Sequence, residues 1–205
     1  TLWALAWLAR LQFATGEWDR AMDTVERGRA LAAASGIVLT TPLFEWTAAQ
    51  IGALRGDWVA AAAAVRAASS VTGDYEMMVI PTVLARAQVA EAEADYAKVR
   101  ELAEPLARMS AGTSLHEPGY WPWPDLLANA LVLDGRLEDA DSFLRPHEQR
   151  AKSRAHRSAQ ARLGYARGRL HGALGDIHSA RRSFEASLEL LHGLPLRYDT
   201  ARVNF

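Results

Sequence analysis

Six histidines, His116, His147, His156, His171, His178 and His192, are the first place to look for chemistry, and no two of them stand four residues apart. Two imidazoles at that spacing on one helix face are what a helical zinc site requires. The carboxylates Glu91, Glu93 and Asp95 lead into a helix-ending turn and read as a solvated face, not as a general acid and base. There is no Gly-x4-Gly-Lys-Ser/Thr loop for phosphates, no His-Glu-x2-His pair, no Gly-x-Ser-x-Gly elbow and no cysteine. Neither an enzyme nor a metal or other cofactor is therefore expected.

Binding chemistry is better represented. Arg10, Gln50, Gln88, Asn129 and Arg169, all hydrogen-bonding residues, recur at intervals near forty. Four residues before each stand Ala6, Trp46, Leu84, Asp125 and Tyr165, which on a helix would share the same face. Trp46 and Tyr165 among amides and guanidiniums suit stacking on a sugar ring, a base or a peptide aromatic, and suit plain packing as well. A separate run, Tyr120-Trp121-Pro122-Trp123-Pro124, follows a long link from Ser110 to Gly119. Its aromatic residues Tyr120, Trp121 and Trp123 are either an exposed rim for a ligand or a buried plug between repeats.

The elements that must position these residues announce themselves by a recurrent turn: Gly16-Glu17-Trp18, Gly56-Asp57-Trp58, Ala94-Asp95-Tyr96, Gly135-Arg136-Leu137 and Gly175-Asp176-Ile177. Seven residues before each turn is a small residue (Ala9, Ala49, Ala87, Ala128, Gly168), and five after it a small or slim one (Ala21, Ala61, Val99, Ala140, Ala180). A Gly ends one helix in the left-handed conformation, an Asp caps the next, and the bulky third residue folds back, which predicts a core position for Trp18, Trp58 and Tyr96. Small residues on both sides let the two helices approach. Leu2, Leu5, Leu8 and Leu11 mark a helical stripe, and the five alanines Ala60 to Ala64 predict tight interhelical packing.

These features resemble the tetratricopeptide (TPR) repeat family, from Thr1 to about Leu194. The resemblance implies an all-α right-handed superhelix of about five antiparallel helix pairs, at 1–38, 39–74, 75–114, 115–155 and 156–193, with a partial sixth at 194–205. All of 1–205 then reads as one repeat domain, with a period near 40 in place of the usual 34. In that family the column Arg10, Gln50, Gln88, Asn129, Arg169 faces a concave groove, so with Trp46, Asp125 and Tyr165 it is expected to floor a ligand- or partner-binding surface.

The longer period, and the stretch from His192 to Arg202 with Leu194-Pro195, Tyr198 and Ala201-Arg202, resemble the C-terminal helical repeats of large LuxR-type (MalT-like) ATPase regulators of transcription. That resemblance implies a bacterial signal-sensing module, with a small-molecule inducer or a protein or peptide in the groove, and an ATPase upstream and a helix-turn-helix downstream in a longer chain. A free-standing scaffold for a peptide or protein partner is the alternative.

Composition agrees with a folded chain: 50% hydrophobic, 23% charged, net charge -1. The absence of cysteine fits a reducing compartment, and the chain reads as cytoplasmic. The apolar start is too short for a membrane span and is interrupted by Arg10. Charge is uneven, with 11 Lys and Arg against 19 Asp and Glu in 1–141, and 12 against 5 in 142–205. The basic run of Arg145, Arg150, Lys152, Arg154, Arg157 and Arg162 lacks interleaved aromatics or a reading helix, so it predicts a solvated face, or a surface that meets an acidic neighbour in the same polypeptide or the acidic half of another copy, and no direct nucleic-acid contact.

Overall fold

The computed structural model describes residues 1–71, 75–109 and 114–204, and among these the chain is all-α. Eleven α-helices follow in order: α1 (Leu2–Ala14), α2 (Trp18–Ser35), α3 (Thr41–Leu54), α4 (Trp58–Ser70), α5 (Glu76–Ala92), α6 (Tyr96–Ala107), α7 (Trp123–Leu133), α8 (Leu137–Ser153), α9 (Arg157–Ala173), α10 (Ile177–Leu191) and α11 (Arg197–Asn204). A single 3-10 turn, Ser114–His116, precedes α7. The first ten helices follow one another as five consecutive pairs, and α11 comes after them. The link before α5 and the first part of the link from Ser110 to Gly119 lie outside the described residues.

All five turns close in the same way. The amide of the first turn residue donates to the carbonyl three residues back, and the next amide donates to the carbonyl five residues back: Gly56 to Ala53 and Asp57 to Gly52, Gly135 to Val132 and Arg136 to Leu131, and likewise at Gly16, Ala94 and Gly175. This is the Schellman closure, which needs a left-handed residue. Four turns use Gly; the third holds Ala94 at φ 59°. Asp57 and Asp176 then cap α4 and α10, accepting from the amides of Ala60 and Ser179 at 2.9 Å each.

The small-residue columns are buried in every repeat: Ala9, Ala49, Ala87, Ala128 and Gly168 before the turn, and Ala21, Ala61, Val99, Ala140 and Ala180 after it. At Gly168 even a methyl group would sit 2.5 Å from the Phe184 ring. The core is thus built from close helix approach, with Phe13, Phe44, Leu84, Leu106 and Leu144 filling between.

The leucine stripe lies on a helix, α1, though Leu8 and Leu11 are exposed, because a spacing of three advances only 300° and carries the stripe off the buried face formed by Leu2, Ala6, Ala9 and Phe13. Two expectations need correction. The residues that fold back at the turns are not plain core. Trp18 stacks on Phe13 at 5.8 Å and donates to its carbonyl at 3.2 Å, yet Trp18 and Tyr96 are half-buried and Trp58 is 45% exposed. Only for Trp18 does one ring face cover the first helix; all three side chains keep part of their surface in solvent. Of the five alanines, only Ala61 and Ala64 are buried, since just one face of α4 meets α3.

The chain forms two compact units, Thr1–Asp95 and Tyr96–Phe205, divided at the third turn. In the first, α1, α3 and α5 pack side by side with α2 and α4 as their hairpin partners. In the second, α7 and α9 pack side by side, α8 and α10 pair with them, and α11 lies against α10. No described helix is long and apolar enough to cross a membrane.

Candidate functional site

The expected polar column does link first helices, but through buried bonds and not as an open floor. In the first unit the Arg10 guanidinium of α1 donates to Gln50 Oε1 of α3 at 3.0 Å and stacks over the Trp46 ring at 3.5 Å. Trp46 Nε1 in turn donates to Gln88 Oε1 of α5 at 2.6 Å. Trp46, Gln50 and Gln88 are buried, Trp46 to 2% exposure, while Arg10 is half-buried above them. The correction has a steric cause. The neighbouring Ala column brings α1, α3 and α5 so close that residues one position away meet across the joint, where polar side chains must pair.

The second unit gathers a different set around Asp125 of α7, itself buried. Arg162 of α9 approaches Asp125 at 3.5 Å and bonds Asp199 of α11 at 3.2 Å; Arg202 of α11 reaches the other Asp125 oxygen at 3.5 Å. Tyr165 lies beneath two guanidiniums, Arg202 at 5.4 Å and Arg169 at 5.6 Å, and its hydroxyl accepts from Arg169 at 3.1 Å. Tyr198 carries Arg202 at 5.8 Å. Tyr165, Arg169, Tyr198 and Arg202 are half-buried, so this cluster keeps aromatic and cationic surface within reach of solvent. Asn129, one helical turn beyond Asp125, is buried with neither amide atom hydrogen-bonded within the described residues.

The aromatic run divides. Trp121 and Trp123 are buried, Trp123 at 0% exposure with its Nε1 donating to the Leu115 carbonyl at 2.9 Å, so neither is a rim residue. The 3-10 turn is tied to Trp123, the first residue of α7, and Trp121 is buried just before that helix. Tyr120 alone is exposed, edge-on to Trp121 at 5.1 Å. Pro124 is the second residue of α7, a position where its missing N–H costs nothing.

Among the described residues no group of three or more His, Asp or Glu converges as a metal site. His147 packs edge-on to Trp123 at 5.3 Å and tilted against Phe143 at 4.5 Å. Burial, with the charges of Arg150 and His116, pushes its pKa down to about 4. The basic run is largely engaged within its own unit. Arg145 bonds Asp141, Arg154 approaches Glu117 at 3.4 Å, and Arg157 donates to the His192 carbonyl at 2.7 Å. Asp141, also bonded by Arg167, is lowered to about 2 by the hydrogen bonds from those two arginines.

Arg162, Asp199, Tyr198 and Arg202 are the residues that the repeat columns did not identify. A signal existed: Tyr165-x3-Arg169 and Tyr198-x3-Arg202 share one spacing, so α11 carries the same aromatic and arginine pair as α9. The interval between them is 33 residues, which a search at forty passes over. Arg162 stands outside both columns and becomes visible only when α9 is laid beside α7. Comparison with protein-family models, curated proteins and solved structures returns no match.

Proposed function

We propose that this chain is a non-catalytic binding module, the sensor region of a multidomain LuxR-type regulator in the cytoplasm, in which a small inducer or a protein segment engages the first-helix face. The observation that carries the binding part of the reading is the cluster on α7, α9 and α11. Two tyrosines and two arginines stay half-exposed around a buried Asp125, a set suited to stacking and to charge-assisted hydrogen bonds. No nucleophile paired with a base accompanies it, so the chemistry available is recognition. The tetratricopeptide pattern and the Leu194-Pro195 to Arg202 stretch support the regulator part, in which occupancy shifts the population between resting and active forms.

Two measurements test this. A panel of sugars, nucleosides and peptides, screened by thermal shift on the intact chain, should yield a ligand whose affinity falls about tenfold or more in Tyr165→Ala and Arg202→Ala while helix content is kept. Binding indifferent to both substitutions would remove the site. The reading frame should encode a phosphate-binding loop upstream and a helix-turn-helix downstream; a frame with neither, together with peptide capture, would make the chain a free-standing scaffold instead.

A further inference from the structure

The face of α3 turned away from Trp46 and Gln50 opens into a cleft of about 430 Å³ between α2 and α4, wholly within the first unit. At 100° per residue, Ala48, Ile51, Gly52 and Arg55 stand on the far side of the helix from the buried ladder, so the cleft is distinct from the first-helix face. Its size falls in the range of small-molecule pockets, about 300 to 1,000 Å³. The residues of α4 that line it are all alanines, Ala60, Ala63, Ala64 and Ala67, whose short side chains leave space on the α4 wall, with Met22 of α2 also in the lining. From Ala60 to Ala67 this apolar wall runs two helical turns, about 10 Å.

The two ends differ in chemistry. At the far end Glu45, buried, is gripped by Arg29 through Nε at 2.8 Å and Nη2 at 2.5 Å, and Arg29 also bonds Glu26. That group is already satisfied, and with two carboxylates to one guanidinium it carries a net charge of -1. At the turn end Asp57 is committed to capping α4. Arg55, by contrast, faces the mouth with its Nη2 on Asp19 at 2.6 Å, and the Asp19 side chain is 91% exposed. An exposed pair of this kind is weakly held and readily exchanged. The cleft therefore offers an apolar trough, an acidic far end whose groups are already paired, and one exchangeable guanidinium at its mouth.

We propose that this cleft binds a medium-chain carboxylate, with the acyl chain laid along the Ala60, Ala63 and Ala67 wall and the carboxylate taken by Arg55 in place of Asp19. A guanidinium prefers a carboxylate because two parallel N–H bonds can form, while the chain removes apolar surface from water. A cationic head would meet Arg55 unfavourably, and an uncharged head would forgo the charge-assisted bonds.

Calorimetric titration of octanoate into the intact chain, beside octanol and octylammonium, tests the proposal. Octanoate should saturate one site and bind about tenfold or more tighter than either control. Ala63→Leu, at an exposed position and with a good helix former, should fill the trough and weaken octanoate by about tenfold. Arg55→Gln should bring octanoate down to the level of octanol, and Arg202→Ala should leave it unchanged. Absence of saturable binding at millimolar octanoate, equal binding of the controls, or affinity indifferent to both cleft variants would each overturn the proposal. Should Ala63→Leu lose helix content by circular dichroism, Arg55→Gln decides alone.

Discussion

His147 shows how the burial of a single side chain adds to the acid sensitivity of the second unit. Packed on Trp123 and Phe143 beside Arg150, it resists protonation in the folded state down to about pH 4, while in the unfolded chain it protonates near 6.5. Between those values the unfolded chain holds more protons. The residue therefore costs nothing above about pH 6.5, and its penalty grows as pH falls toward 4 and levels off below. His147→Phe keeps the aromatic packing without the titration. Its melting temperature should drop less than that of the parent between pH 7 and pH 4.5, measured by circular dichroism. An equal drop in both proteins would assign the acid sensitivity to other groups. Composition alone gave His147 no distinction from the other five histidines; its burial against Trp123 of α7 and Phe143 sets it apart.

At the level of the helix pair, the sequence is unusually explicit. The turn residues and the two small columns name every hairpin, because Schellman closure and close helix approach each demand a particular residue type at a fixed distance. What the columns could not convey is which side chains stay wet. Trp58 and Trp123 are both bulky indoles, yet one is 45% exposed and the other is fully buried and bonded to the 3-10 turn, and that difference depends on what folds against them. The third turn breaks the Gly rule, with Ala94 held at φ 59°. A left-handed Ala costs about 1 to 2 kcal/mol, offset in part by the greater entropy that Gly loses on folding. Ala94→Gly is therefore expected to stabilise by roughly 1 kcal/mol, read as a higher urea midpoint at unchanged slope. A lower midpoint would mean that the Ala94 methyl group makes a contact worth more than the strain.

For the chain as a whole, stability in stacked pairs is carried by each pair and by the joints to its neighbours. In the first unit the joints from α1 to α3 and from α3 to α5 share one residue, Trp46, gripped by Arg10 from one side and bonded to Gln88 on the other. A double-mutant cycle between Arg10→Ala and Gln88→Ala should then show coupling of about 0.5 kcal/mol or more, transmitted through the indole. Strict additivity would make the two joints independent. The ladder was legible in the sequence as a column of polar residues; its burial was not, because burial follows from how near the alanines let the helices come. The five identical turns carry one more consequence. Since each closes with the same pair of backbone bonds regardless of its side chains, hairpins are interchangeable parts in the sense of gene rearrangement. A cut and rejoin at equivalent turn residues would duplicate or delete one whole pair while leaving the backbone closure of every remaining turn in place, so the length of such a chain can change in steps of a single repeat.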